Sequence, residues 1–387
     1  MEALQDETTQ SLLTVGLVTP RYAPAIGGVE RHVEALACGL VQRGFRVEVV
    51  TTDPTGTLAP IEERDGVLVR RFPTVANDAV YFVAPQLGLW LWRNAARFNL
   101  MHAHSYHTPL AFQAALASRR MRVPLVVTPH YHGTGHSPLR RLLHAPYRLP
   151  GAWLLYQARR VICVSEVERV LLMHHFNLRA VDVAPNGVEL DELLMAQPRA
   201  KAAEQKLILA VGRLEHYKHV DRLIMAVPSM PAEYQVVIVG NGPARPHLEQ
   251  LARQLGATDR VQFAGQVARA DLLALYRTAD VFVTLSQHEA FGLTLLEAVV
   301  GGAAVVASSI PAHHEVANYL PADRVVFVED DSSATHLSDA IEQAAHRGRT
   351  HGVTGWSLPT WDSMVAAIVT CYQATLGSGW KAFEAAA

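Results

Sequence analysis

Cysteine is scarce in this chain: Cys38, Cys163 and Cys371 are the only three among 387 residues. An odd number without metal-ligand spacing excludes a disulfide framework and a cysteine-built zinc site, and predicts buried thiols in a reducing compartment. Lysine is nearly as scarce, with Lys201, Lys206, Lys218 and Lys381 alone, and none sits in a loop suited to a pyridoxal Schiff base. No apolar run is long enough to span a bilayer, since AVYFVAPQLGLWLW (79 to 92) is interrupted by Pro85 and Gln86. The first ten residues, MEALQDETTQ, are acidic and polar where an export signal needs basic residues and then an apolar stretch, which predicts a cytoplasmic protein. Excess charge is missing too: 34 Lys and Arg face 36 Asp and Glu, so nucleic acid is not an implied partner. The sharpest absence is local. No acidic residue lies between Asp78 and Glu166, a segment that holds ten arginines (93, 97, 119, 120, 122, 140, 141, 148, 159 and 160).

What is present is half hydrophobic, in a chain long enough for two domains. Short β-branched or aliphatic runs alternate with longer amphipathic ones, the pattern of parallel sheets covered by helices. LLTVGLVT, RVEVVTT, VLVRRF, LMHAH, PLVVTPH, RRVICVS and AVDVAP read as strands in the first half; LILAVG, YQVVIVG, RVQFAG, DVFVTLS, AAVVAS and RVVFV follow in the second. About thirteen strands predict two sheets of about six, an α/β fold of two doubly wound domains. The boundary falls in PNGVELDELLMAQPRAKAAEQK (185 to 206), giving domains over 1–190 and 200–358. Ligands of such sheets bind beyond the carboxyl ends of the strands.

One strand end stands out. In DVFVTLSQHEAFGLTLLEAVV a strand, a loop and a helix follow one another, and Gly292 precedes free N–H groups of the helix's first turn, an anion site. Glu297, five residues on and roughly 7.5 Å along the helix, suits ribose hydroxyls. Glu289, still in the loop, lies on the other side of such a diphosphate. Two acids at this spacing also fit a solvated helix face. The strand end AVGRLEHYK adds Arg213, able to grip a diphosphate bidentately, and Lys218, a point charge; surface charge is the alternative. VIVGNGPARP ends another strand in Gly240 and a tight turn.

Together VGRLEHYKHVDRLI, IVGNGPARPHLEQLARQLG, LLALYRTADVFVTLSQHEAFGLTLLEAVVGGAAVVAS, GGVERHVEALACGLVQRGFRVEVVT and VAPNGVELDEL resemble the retaining GT-B glycosyltransferases of family GT4, in order from about residue 13 to TWDSMVAAIVTCYQATL. The resemblance implies two Rossmann-like domains facing a central cleft, the second holding a nucleotide-sugar donor and the first an acceptor. It also implies a C-terminal helix, about 360–380, packing back on the first domain. Carried over by position, Glu297 matches the ribose ligand and Glu289 the carboxylate beside the donor sugar. Arg213 and Lys218 match the diphosphate-binding pair. Phe291, Gly292, Leu293 and Thr294 fall on the donor-binding stretch that meets the diphosphate and sugar, Gly27 and Gly28 on a glycine loop facing the phosphates, and His130 on a histidine near the reacting carbon. Two departures are visible: Leu285 replaces a common proline, and SSIPAHHEV lacks the glycines often found before Glu315, so the local shape of the donor pocket is left open.

The implied reaction is hexosyl transfer from a UDP- or GDP-sugar with retention, without metal or other cofactor: Glu289, His130, Arg213 and Lys218 are the catalytic candidates. A nucleotide-sugar-binding protein without catalysis, and an enzyme using a soluble small-molecule or secondary-metabolite acceptor, are the alternatives. His102, His104 and His130 are dense enough to suggest a metal, but hydrogen bonding to sugar or buried backbone is favoured and no metal is assigned. The acid-free segment interleaves its arginines with aromatic residues, which predicts an anionic or membrane-associated acceptor, such as a lipid-linked glycan of the envelope, and peripheral contact with the inner membrane face. Residues 137 to 160 are the docking element, with Arg140, Arg141 and Arg148 at the headgroups, Leu142, Leu143 and Trp153 towards the acyl boundary, and Pro146 and Pro150 breaking it into two pieces.

Overall fold

The computed structural model describes residues 13–75, 82–133, 138–178, 180–350 and 352–380, with the backbone alone over 138–146. The chain divides into two compact units, the first formed by Met1–Val164, Glu168–Ala184 and Asp362–Ala387, the second by Ser165–Val167 and Pro185–Trp361.

The first unit contains β1 (Thr14–Val18), α1 (Gly28–Gln42), β2 (Arg46–Asp53), β3 (Ile61–Arg64), β4 (Val67–Pro73), α2 (Pro85–Asn94), β5 (Leu100–His104), α3 (Pro109–Met121), β6 (Leu125–Thr128), α4 (Pro138–Gln157), β7 (Arg160–Cys163), α5 (Glu166–His175) and β8 (Val181–Val183). Its eight strands run in the order β3-β4-β2-β1-β5-β6-β7-β8. All neighbours are parallel except β3 and β4, an antiparallel pair joined through Asp65 and Gly66, both at positive φ (53° and 76°). That Asp-Gly turn suits a hairpin. β3 was not among the expected strands because Ile-Glu-Glu-Arg carries no apolar alternation; it is an exposed edge whose charges discourage further pairing.

In the second unit α6 (Leu190–Met195), β9 (Lys206–Val211), α7 (Val220–Ala226), β10 (Tyr234–Val239), α8 (Arg245–Gln254), β11 (Val261–Gly265), α9 (Arg269–Thr278), β12 (Val281–Thr284), α10 (Leu293–Val300), β13 (Ala304–Ser308), α11 (Pro311–Ala317), β14 (Val325–Val328) and α12 (Ala334–His346) succeed one another. The six strands are all parallel, ordered β11-β10-β9-β12-β13-β14. Central strands such as β13 are buried at every position, as a sheet covered on both faces requires. Towards the C-terminus α13 (Trp361–Leu376) sends Tyr372 to the first sheet, where its hydroxyl lies 2.7 Å from His102 Nδ1.

Two expectations for 137 to 160 are corrected. α4 runs unbroken through Pro146 and Pro150. Packing overrides the prolines: Leu154 and Leu155 are buried, Tyr147 donates to Tyr106 O at 2.6 Å, and Gly151 lets the Tyr106 ring lie directly against the helix. Trp153 does not project outward but packs on Phe112 at 5.0 Å in the first core. Arg148 is exposed, while the side chains of Arg140, Arg141, Leu142 and Leu143 lie outside those described. Arg97 and Arg160, in the same acid-free segment, pair with Glu48 and Asp182. Among the described residues no helix is long and apolar enough to cross a membrane.

The strand ends of the second unit depend on Gly240. Its φ is 126°, and a Cβ there would lie 1.9 Å from Gly212 O. Gly240→Ala should therefore destabilise the second unit by about 3 kcal/mol, against about 1 kcal/mol for Gly256→Ala, where a Cβ meets open space and only positive φ opposes it. Urea denaturation of the two variants checks the difference.

Candidate donor site and histidine cluster

The carboxyl ends of two adjacent strands, β9 and β12, build the candidate site in the second unit. Beyond β9 the chain turns at Gly212, exposes Arg213, whose Nε lies 3.1 Å from Glu215, and reaches Lys218 in a single 3-10 turn. Beyond β12 it runs through Ser286 to Glu289. The two segments meet where Lys218 Nζ donates to Glu289 Oε1 at 2.5 Å, with both side chains about four-fifths buried. Burial opposes both charges, but each partner outweighs it: the Glu289 carboxyl is held below its usual range by the Lys218 charge and by hydrogen bonds from Lys218 and Ser286, and the Lys218 ammonium is pushed above its own by Glu289. Both remain charged around neutrality. A narrow cavity alongside is lined by Gly212, Arg213, Lys218, Thr284 and Ser286.

Gly292 caps α10 in the left-handed region (φ 106°, ψ 42°). Leu293 and Thr294, partly exposed, open a helix whose first N–H groups have no intrahelical acceptor. Phe291 has its ring buried at 2% exposure, beside Tyr319, so only its backbone can face a ligand.

Glu297 is 7% exposed, which removes the solvated-face alternative for it. Arg269 Nη1 donates to Oε1 at 3.1 Å and the Tyr276 hydroxyl to Oε2 at 3.0 Å. Arg269 also holds Glu192 at 2.9 Å. These two donors fix the carboxylate's orientation and were not expected; a Tyr and an Arg on the preceding helix carry no spacing signal towards a glutamate 21 and 28 positions on.

In the first unit, His130 follows β6 at positive φ (49°). Its neighbour Tyr131 donates its N–H to the buried Glu168 carboxylate, which also accepts from Val164 N at 2.7 Å. Gly27, extended, and Gly28 lead into α1, and α1 brings in His32, a residue of GGVERHV that the motif reading passed over. His32 packs edge-on to His130 and His104, with centroids 5.0 and 5.4 Å apart. The expected trio is thus regrouped. Ring nitrogens of His32, His104 and His130 lie within 4.8 Å of one another and could hold a cation, whereas His102 spends its own on Tyr372 and on Thr128 Oγ1 at 2.8 Å. Both nitrogens of His104 and Nε2 of His130 are buried without a hydrogen-bond partner among the described residues.

Burial, then the neighbouring imidazoles, lower the pKa of His102, His104 and His130 well below 6.5. The unfolded chain takes up protons below about pH 6.5 while the folded one does not, so stability is present above that pH and is lost as pH falls through it. Urea denaturation between pH 6.5 and 5.5 should show a loss of about 1 kcal/mol for each of these histidines, and His104→Asn should flatten the dependence by about one such share.

The sequence patterns of known families match in two parts: Glycosyltransferase Family 4 over residues 26–192 and Glycosyl transferases group 1 over 194–351. An uncharacterized glycosyltransferase of Methanocaldococcus jannaschii is 31% identical over 77% of this chain and 81% of its own. The D-inositol 3-phosphate glycosyltransferase of Mycolicibacterium smegmatis is 30% identical over 78% and 75%. Among solved structures, a sucrose-phosphate synthase from Thermosynechococcus elongatus superposes with a TM-score of 0.80 at 21% identity, covering 95% of this chain and all of that one. Anabaena HepE in complex with UDP-glucose gives 0.67 at 19% identity, covering 95% and 99%. The two parallel α/β sheets are those of the GT-B fold, and the chain belongs to the group 1 glycosyltransferases of family GT4.

Proposed function

We propose that the protein transfers a hexosyl group, with retention, from a UDP- or GDP-sugar to an acceptor hydroxyl, without a metal ion. The observation that carries this reading is the Lys218–Glu289 pair at the carboxyl ends of β9 and β12, beside the glycine-capped start of α10. A departing nucleoside diphosphate gains negative charge. Arg213, Lys218 and the N–H groups of Leu293 and Thr294 meet that charge with donors already in place. Glu297, oriented by Arg269 and Tyr276, takes the ribose hydroxyls. Glu289 sits beside the sugar as a carboxylate, and attack is on the front face, the acceptor's proton passing to the leaving phosphate. His130, kept neutral by burial, offers a hydrogen bond near the reacting carbon rather than a charge. Gly27 and Gly28 form the phosphate-facing loop of the first unit.

The acceptor is anionic or lipid-borne, an intermediate of envelope glycan or glycolipid assembly reached from the cytoplasmic membrane face. The acid-free segment supports this, with Arg148 exposed, and so does a relative whose name specifies an inositol phosphate acceptor. Arg140 and Arg141 belong to the same proposal. A soluble neutral acceptor, or nucleotide-sugar binding without transfer, are the readings to be separated from it. Wild-type protein and Glu289→Gln should be assayed with UDP- and GDP-sugars against acceptors carried on anionic liposomes, free anionic acceptors and neutral sugars. Transfer to the anionic acceptors, lost by at least about 10³-fold in Glu289→Gln with nucleotide affinity kept, is the expected result. Efficient transfer only to neutral sugars overturns the acceptor class, and binding without transfer overturns the enzymatic reading.

A further inference from the structure

The segment SSIPAHHEV, whose missing glycines left the donor pocket's shape open, places a histidine behind Glu289. Ser308 ends β13, and α11 starts at Pro311 and carries His313 in its first turn. His313 is fully buried. Its Nδ1 lies 2.9 Å from the carbonyl oxygen of Ser308, so that nitrogen carries the proton and Nε2 the lone pair. The Ser308 hydroxyl lies 3.2 Å from the same Nδ1 and donates to Ser286 O at 2.6 Å. Ser286 in turn is hydrogen-bonded to Glu289. Nε2 has no hydrogen-bond partner among the described residues, and the adjacent Cδ2 lies 3.4 Å from where a Cβ on Gly292 would stand. One ring therefore meets the end of β13, reaches the loop after β12 through Ser308, and stands beside the glycine cap of α10 in the field of Glu289. Burial keeps it neutral against the pull of that carboxylate, with Lys218 and His314 acting in the same sense as burial. A protonated ring would set a second cation against Glu289 and compete with Lys218 for it.

We infer that His313 is a positioning residue for Glu289: the neutral Nδ1–H ring, anchored on Ser308 and through it on Ser286, holds the β12–α10 loop so that the carboxylate stays on Lys218. The inference rests on the donor-site reading and adds a residue to it. His313→Asn keeps an N–H where Nδ1 stood, whereas His313→Leu keeps bulk and removes the donor. In steady-state transfer, His313→Leu lowers kcat at least about tenfold while donor KM changes less than about threefold, and His313→Asn recovers kcat to within about threefold of wild type. A leucine variant with wild-type kcat, or an asparagine variant as impaired as the leucine one, overturns the inference. Where the wild type itself transfers nothing, the functional reading fails, and nitrogen NMR of the His313 ring decides the positioning claim separately. The Nδ1–H tautomer, with a ring signal that moves in Glu289→Gln, upholds it; the Nε2–H tautomer or an unmoved signal overturns it.

Discussion

A lysine four-fifths buried must find a negative partner or give up its charge, and in the second unit Lys218 finds Glu289 at 2.5 Å. The rest of the candidate donor site follows from satisfying that pair. The loop after β12 must approach the loop after β9, while on the other side of β9 the close backbone of Gly212 leaves Gly240 no room for a side chain. The same loop then has to turn sharply into α10, which Gly292 permits at a φ of 106°. A pair held this way keeps an ammonium in place before any phosphate arrives. In the proposed reaction the incoming diphosphate shares that cation, so no reorganisation is needed as its charge grows.

Much of this was legible in the sequence because the relevant signals are local. A strand, a glycine and a helix start are consecutive, so the glycine-capped start of α10 could be read from HEAFGLTLLEAVV alone. Strand identity was equally accessible wherever both faces are buried, as in β9 and β13. β3 escaped because an edge hairpin of charged residues has no such pattern. What the sequence hid were contacts made across the sheet. Arg269 and Tyr276 orient Glu297 from another helix, Glu168 fixes the backbone beside His130 from α5, and His313 reaches Ser286 through Ser308. α4 shows the opposite failure. Two prolines carry a strong local signal, yet the burial of Leu154 and Leu155 and the seat of Tyr106 on Gly151 keep the helix continuous.

The histidines of the first unit illustrate how a dense motif can mislead about its members. His102 and His104 alternate on one strand and were grouped together, but His102 bonds Tyr372 and Thr128, while His104 joins His32 and His130. An imidazole buried among other imidazoles stays neutral, able to accept or donate a hydrogen bond without bringing charge. That property suits a group set near a sugar. In the proposed reaction the charge that meets the phosphates comes from the second unit instead.

The central claim is that the Lys218 cation, held by Glu289, receives the donor's diphosphate and replaces a divalent metal there. Calorimetric titration of the protein with UDP and with GDP, in EDTA and in magnesium, tests it when repeated on Lys218→Met. The account predicts that at least one of the two nucleotides binds equally well in EDTA and in magnesium and loses about a hundredfold in affinity with Lys218→Met, on the order of 3 kcal/mol. Binding that requires magnesium, or that survives the substitution unchanged, contradicts it.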